Sequence, residues 1–86
     1  MVTREQYERL ARHLHDDGRP RIEMTFAEVS RMIGEPLPAS ASEHPAWWGT
    51  DPGHTQAVWL DVGYTARPNL TAERVVFERV DPQEGR

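Results

Sequence analysis

The residue types that could do chemistry are concentrated in one stretch of the chain, residues 44–63. These twenty residues hold all three tryptophans and two of the four histidines, and they contain no arginine or lysine. Tryptophans in a stretch without cations have two common uses: they fill the core of a small domain, or they form a contact surface for flat or apolar ligands such as nucleic-acid bases. The sequence alone leaves both uses open.

The histidine, serine and acidic side chains around this stretch form no recognisable catalytic or metal-binding pattern. His44, Asp51 and His54 carry atoms that zinc accepts, but the two histidines lack a standard zinc spacing. Ser40, Asp51 and His54 could be drawn as a nucleophilic triad, yet no nucleophile elbow or glycine-rich oxyanion turn accompanies them. We therefore predict a binding protein with no enzymatic activity, no metal and no cofactor.

Composition limits the partners and the compartment. The 86 residues suit one domain, and the lack of cysteine removes disulfides and thiol chemistry. No apolar run is long enough for a signal peptide or a membrane span, so we expect a cytoplasmic protein with no membrane partner. The formal net charge of -4 does not attract nucleic acid, so binding it needs a local positive face. All ten basic residues are arginines, which are good bidentate partners for phosphate and guanine.

Two capping boxes predict where the first two helices begin. Thr3 with Gln6, and Thr25 with Glu28, have the spacing in which a hydroxyl accepts the amide three residues on and the longer side chain reaches back. Apolar residues then recur at intervals of three and four, and each run stops at a glycine. The pattern predicts helices over residues 4–15 and 26–33.

The remaining elements are predicted from alternation and from turn signals. Ser40 with Glu43 forms a third box that can begin only a single turn, because Pro45 follows. Asp51 and Pro52 have the types expected at the start of a helix, which we predict over residues 54–62. Strands are predicted at residues 21–24, 64–67 and 74–80, the last two as a hairpin.

This order of elements is helix, strand, helix, long loop, helix, strand, strand. It is the order of a winged helix-turn-helix domain, an α+β fold in which the first strand pairs with the last and the final hairpin forms the wing. The predicted domain covers residues 3–80, followed by a flexible C-terminal tail at 81–86. A plain α+β domain, with helices on one face of a three-stranded antiparallel sheet, explains the same order without invoking DNA.

The chain also resembles a family of small, uncharacterised bacterial domains. The likeness covers about residues 4–79 and is carried by a specific string of residues: Thr25-Phe26-Ala27-Glu28, Ile33-Gly34, Pro36-Leu37-Pro38-Ala39-Ser40-Ala41, His44, Trp47-Trp48, Asp51, His54, Gln56-Ala57, Trp59-Leu60 and Gly63-Tyr64. Thr50 stands where relatives would carry asparagine. The resemblance implies no known activity.

The winged order predicts a protein that binds double-stranded DNA, such as a transcriptional regulator or a nucleoid-associated protein. The start of helix 54–62 would lie nearest the bases, where glutamine, threonine and histidine can bond to base edges. Phosphate contacts would come from arginines of the 64–80 hairpin and of the second helix. The predicted DNA-binding residues are His54, Thr55, Gln56, Trp48, Thr50, Arg31, Arg67 and Arg74.

The alternative prediction is a protein–protein interaction module that uses the Trp47/Trp48 loop. Adjacent residues of an extended chain face opposite ways, so we expect one of this pair, together with Trp59, to be structural and the other to be partly exposed. An exposed indole offers a large contact area with little loss of entropy. A homodimer also remains open, since winged domains often pair to match two half-sites.

Overall fold

Both predicted capping boxes are present and begin the first two helices. Thr3 Oγ1 accepts the Gln6 amide at 3.2 Å, and Gln6 Oε1 accepts the Thr3 amide at 2.9 Å. Thr25 and Glu28 repeat the arrangement at 3.0 and 2.8 Å. The helices that follow each end at a glycine in the left-handed conformation, and they are α1 (Arg4–Asp17) and α2 (Phe26–Ile33).

The computed structural model describes residues 2–51 and 53–80. Pro52, predicted as a first helical position, and the tail predicted at 81–86 lie outside the described residues. The described strands form an antiparallel sheet in the order β1-β3-β2. They confirm the strands predicted from the sequence to within two residues at each end, and they are β1 (Arg21–Thr25), β2 (Tyr64–Asn69) and β3 (Arg74–Arg79).

Helices cover one face of this sheet. Side chains on β1 and β3 alternate between buried and exposed positions, so that Ile22, Met24, Val75 and Phe77 all point toward the core. The helix α1 packs against α2 and against the segment that precedes β2. The described residues thus form a mixed α and β domain with a three-stranded antiparallel sheet. This confirms the predicted α+β class and the predicted sheet.

The segment between α2 and β2 differs from its prediction in two places. A short helix, α3 (Ala39–Glu43), begins after Pro38 and has no side-chain cap. The predicted Ser40–Glu43 capping box is therefore wrong, because Ser40 already lies inside the helix. A 3₁₀ turn over Pro45–Trp48 follows directly.

The helix predicted over residues 54–62 is present only in part and is of another type. The structure has a 3₁₀ helix, η2 (Ala57–Val62), which ends at Gly63 as predicted, and residues 54–56 lie in turns before it. Successive bonds span three residues instead of four: the His54 amide donates to the Asp51 carbonyl, and the Ala57 amide to the His54 carbonyl, each at 3.1 Å. Three successive residues, 57–59, are all buried, so the spacing of a one-sided surface α-helix does not apply.

The tryptophans form the centre of the core. Trp48 and Trp59 are 1% and 0% exposed, and their rings stack with centroids 5.7 Å apart. Phe26 stacks on Trp48 at 5.1 Å, and Phe77 meets Trp59 at 5.8 Å. The Trp48 indole donates to the Ala41 carbonyl at 2.9 Å. This confirms that Trp59 and one member of the adjacent pair are structural.

Candidate functional site

The polar residues predicted to read DNA lie in the turn before η2. His54 and Thr55 are exposed, as is Thr50, but Gln56 is half-buried and its Nε2 donates to the Trp47 carbonyl at 3.1 Å. The nearest charged group to His54 is acidic: its Nε2 lies 3.6 Å from Asp51 Oδ2. The turn therefore presents a small polar surface without an arginine or lysine. Gln56, one of its three predicted base-contacting residues, is already used in a hydrogen bond to the backbone.

The hairpin arginines do not share a surface with this turn. Arg67 Nε lies 3.1 Å from Glu78 Oε1, and Arg74 Nη1 lies 3.0 Å from Glu23 Oε2. The strand alternation places these side chains on the sheet face opposite the core, whereas residues 57–59, which follow the turn, pack into the core. The structure thus does not bring the predicted base readers together with the hairpin arginines, whereas Arg74 of the hairpin and Arg31 of α2 both act on the same carboxylate, Glu28.

Burial removes Trp48 from any contact surface. Its side chain is enclosed between Phe26 and Trp59, so the prediction that Trp48 contacts DNA or a partner is wrong. Trp47 is half-buried and packs against Tyr7 and Trp48, with ring centroids 6.1 and 4.7 Å apart. The physical reason is that the pair lies in a 3₁₀ turn over the core and not in extended chain.

A different feature has unused bonding capacity: the outer edge of β1. The Arg79 amide donates to the Pro20 carbonyl, and the Phe26 amide donates to the Glu73 carbonyl, both at 2.8 Å. Partners in an antiparallel pair alternate between bonded and non-bonded, so the residues of β1 that bond to β3 are the even-numbered ones, 22 and 24.

It follows that Arg21 and Glu23 direct their amides and carbonyls away from β3. Among the described strands, β1 pairs with β3 alone, so these groups lie at an edge of the sheet. The Thr25 amide points the same way but is taken by Glu28 in the capping box. We call the outward backbone groups of residues 21 and 23 the β1 edge.

The other edge of the sheet is interrupted by a proline. The Val80 amide donates to the Gly63 carbonyl at 2.7 Å, so along β2 the residues that point away from β3 are Tyr64, Ala66 and Pro68. Proline has no amide hydrogen, so Pro68 removes one of the three outward donors, while Tyr64 and Ala66 keep theirs. The β2 edge thus carries an interruption that the β1 edge does not.

A groove of about 440 Å³ runs along the β1 edge, between the strand and the helices α1 and α2. Its apolar side chains come from β1 and α2, and charged groups surround them. The lining residues are His13, Asp17, Arg19, Ile22, Glu23, Met24, Glu28, Arg31 and Met32.

Ion pairs fix most of the charges in this groove. Asp17 accepts Arg19 Nε at 2.6 Å and Nη2 at 2.9 Å, and this fork lowers the pKa of Asp17 to about 2. The bond from the Thr25 amide lowers the pKa of Glu28. Arg31 is exposed and makes no hydrogen bond or ion pair with another described residue. The groove therefore holds one exposed cation, Arg31, which has no hydrogen-bonded partner among the described residues and lies in the field of Glu28.

Other kinds of site find little support in the described part of the chain. No group of three or more His, Cys, Asp or Glu side chains in residues 2–51 and 53–80 could hold a metal ion. Of the described helices, none has the length and hydropathy needed to cross a membrane.

Comparison with known families places the chain in one of them. A family model described as a domain of unknown function (DUF7662) matches residues 7–81. The chain belongs to this family. The DUF7662 match includes the whole sheet, α2, most of α1 and the β1 edge, and it confirms the expected membership of an uncharacterised small-domain family. No curated protein and no solved structure matches the chain significantly.

The sequence carried one signal for the β1 edge that periodicity did not use. Pro68 directly follows the strand predicted at residues 64–67 and lies inside the observed β2, where a proline marks the strand as an edge. In a sheet whose first strand pairs with its last, β1 must then be the other edge.

Proposed function

We propose that this chain is a protein-interaction domain, without enzymatic activity, that binds an extended polypeptide at the β1 edge. The single observation that carries the proposal is an unpaired strand edge beside a groove that has both apolar and charged lining residues. In strand addition, main-chain hydrogen bonds supply affinity and pockets for alternate side chains supply specificity.

The backbone of β1 supports this mode of binding. Arg21 and Glu23 offer two amides and two carbonyls at the spacing of one side of a strand. A bound strand would extend the sheet next to β1, and its alternate side chains would enter the groove against Met24 and Met32. Because β1 is held by β3 and by the α2 capping box, little order has to be gained on binding.

Charge also favours a polypeptide over a polyanion. Residues 32–66 contain no arginine, and the hairpin arginines Arg67 and Arg74 are already neutralised by carboxylates. With a formal net charge of -4, the chain has no long-range attraction for phosphate. A mixed-charge groove with one unpaired arginine suits a peptide that carries apolar and acidic side chains.

Substitution of Glu23 by proline tests the proposal. Glu23→Pro removes one outward amide and no bond to β3, because the backbone groups of this residue point away from that strand. We expect displayed random peptides that bind the wild-type chain to lose at least tenfold in affinity for Glu23→Pro. Glu23→Ala, which keeps the amide, is the matched control and should retain binding. If neither peptide binding nor self-association of the chain responds to Glu23→Pro, the proposal fails.

A second candidate is double-stranded DNA binding by a winged helix-turn-helix domain, as a transcriptional regulator or nucleoid-associated protein. The observation that favours it is topological: a helix, a strand, further helices and a hairpin, with the first strand paired to the last. Because the turn and the hairpin lie on different surfaces, His54 and Thr55 would contact the duplex at one place and Arg67 at another. A titration of pooled genomic fragments at low salt tests this candidate. Affinity that is unchanged in the double variant Thr55→Ala, Arg67→Ala would exclude the surface.

A further inference from the structure

We infer that the occupant of the β1 edge is the same edge of a second copy of this chain, paired antiparallel so that Arg21 opposes Glu23 of the copy. This inference rests on the proposed function and names its partner. The dimer would carry a continuous six-stranded sheet with β1 next to β1 at its centre.

The register follows from the direction of the backbone groups. Of the outward residues of β1, Thr25 is already bonded to Glu28, so residues 21 and 23 are the ones available, and a twofold axis must place outward groups opposite outward groups. Three registers satisfy this: position 21 opposite 21, position 23 opposite 23, or position 21 opposite 23. The first two place like charges opposite each other, which is destabilising. The third places Arg21 opposite Glu23 twice, once on each side of the axis.

The side chains on the open face of the sheet complement this register. Arg21 is exposed and makes no ion pair with a described residue, while Glu23 is held by Arg74 at 3.0 Å. In this register, the Arg21 guanidinium of one copy would meet the Glu23 carboxylate of the other copy. Arg74 of that other copy already holds this carboxylate in place. Each such carboxylate would then lie between two arginines, one from each copy.

The core side of the sheet also accepts the register. Ile22 of the two copies would face each other as a non-hydrogen-bonded pair, the position in which opposing side chains come closest. Ile22, Met24 and Met32 line the groove beside this point. The groove lies between β1 and the helices, and of its apolar side chains Ile22 and Met24 are already buried while Met32 is half-buried and would be covered.

Association by this edge stops at two copies. The outer edges of the six-stranded sheet are the two β2 strands, and in each of them Pro68 interrupts the row of outward donors between strand and solvent. An interface that uses the same patch on both copies closes on itself, so a dimer and not a fibre is expected.

Charge reversal with mixing tests the inference. Sedimentation equilibrium should give the wild-type chain a mass twice its 9.9 kDa. Arg21→Glu and Glu23→Arg each place like charges opposite each other at both symmetric positions, so each should weaken dimerisation by about tenfold or more. A one-to-one mixture should restore it, because the new glutamate at position 21 then faces the new arginine at position 23. Arg67→Glu makes the same charge change on the same face, away from the edge, and should still dimerise.

The outcomes separate this inference from the proposed function. Far-UV circular dichroism first shows whether each variant is folded, and rescue by mixing excludes misfolding as the cause of any loss. A wild-type monomer at millimolar concentration overturns self-pairing, and selected peptides that bind there and fail with Glu23→Pro leave the proposed function standing. A dimer that survives both reversals and Glu23→Pro uses another surface and also overturns the inference.

Discussion

The tryptophan segment, residues 44–63, and the β1 edge differ in where their chemistry points. The segment holds the most distinctive side chains of the sequence, yet Trp48 and Trp59 are buried and Gln56 bonds to a backbone carbonyl beside them. The edge belongs to an ordinary five-residue strand, and its bonding groups are backbone amides and carbonyls that face outward. The rare side chains of the segment contribute to stability, and the exposed main chain of the edge carries the proposed binding. Substitutions in the segment should therefore change unfolding, and substitutions at the edge should change association.

The largest effect is expected at the centre of the tryptophan segment. Trp48→Ala should lower the free energy of unfolding by about 3–5 kcal/mol, because it empties a fully buried site between two stacked rings. That loss is comparable to the whole stability of a small domain, about 5 kcal/mol or more, so the variant should be largely unfolded at room temperature. Urea titration followed by circular dichroism measures it. A folded variant with near-wild-type stability would contradict the assigned core.

A matched pair of milder substitutions sharpens this prediction. The Trp48 indole donates to the Ala41 carbonyl, whereas the Trp59 indole nitrogen is buried and has no acceptor among the described residues. Trp48→Phe removes a satisfied donor, and Trp59→Phe removes an unsatisfied one, with the same change in volume. We expect Trp48→Phe to be the more destabilising by about 1–3 kcal/mol. Equal effects would mean that the indole nitrogen at position 59 is satisfied in solution.

An intermediate effect is expected where β1 meets α2. Thr25→Ala should cost about 1 kcal/mol of unfolding free energy, because it removes the side-chain cap of α2. Dimerisation by the adjacent strand should be retained, and sedimentation checks this. Loss of association without loss of stability would show that the cap belongs to the binding surface.

The same cap gives a dependence on pH. The pKa of Glu28 is lowered from 4.5 because its carboxylate accepts the Thr25 amide, so folding favours the ionised form. The stabilisation is complete above about pH 4.5 and is lost as the pH falls through the lower pKa of the folded chain. The stability difference between the wild type and Glu28→Gln should therefore shrink below pH 4.5. A difference that stays constant with pH would argue against an ionised cap.

The smallest effect is expected on the open face of the sheet. Arg67→Ala breaks an exposed ion pair with Glu78 and should change the unfolding free energy by no more than about 0.5 kcal/mol. A double-mutant cycle with Glu78→Ala measures the coupling directly. A coupling well above about 1 kcal/mol would mean that this face is less solvated than its exposure indicates.

The helices and strands could be predicted from residues close together in the sequence. The 3₁₀ segment and the sheet edge could not, because they depend on contacts between residues far apart in the sequence. The Thr3 and Thr25 boxes and the terminal glycines set the limits of α1 and α2, because capping depends only on residues within a few positions of each other. The α-helix predicted at residues 54–62 was wrong in type because the conformation of this segment depends on its packing against α1 and β2. The β1 edge could not be read from alternation alone, since an edge is defined by strand order, and strand order depends on residues more than fifty positions apart.

The packing of the indoles has a practical consequence for solution studies. Trp47, Trp48 and Trp59 have ring centroids between 4.7 and 6.2 Å apart, at fixed mutual angles. Chromophores so close and so asymmetrically arranged share their excitation, and the shared transition should give an intense near-ultraviolet dichroic band. That band should vanish when the rings separate on unfolding. Unfolding of the core can therefore be followed by near-ultraviolet circular dichroism without a label.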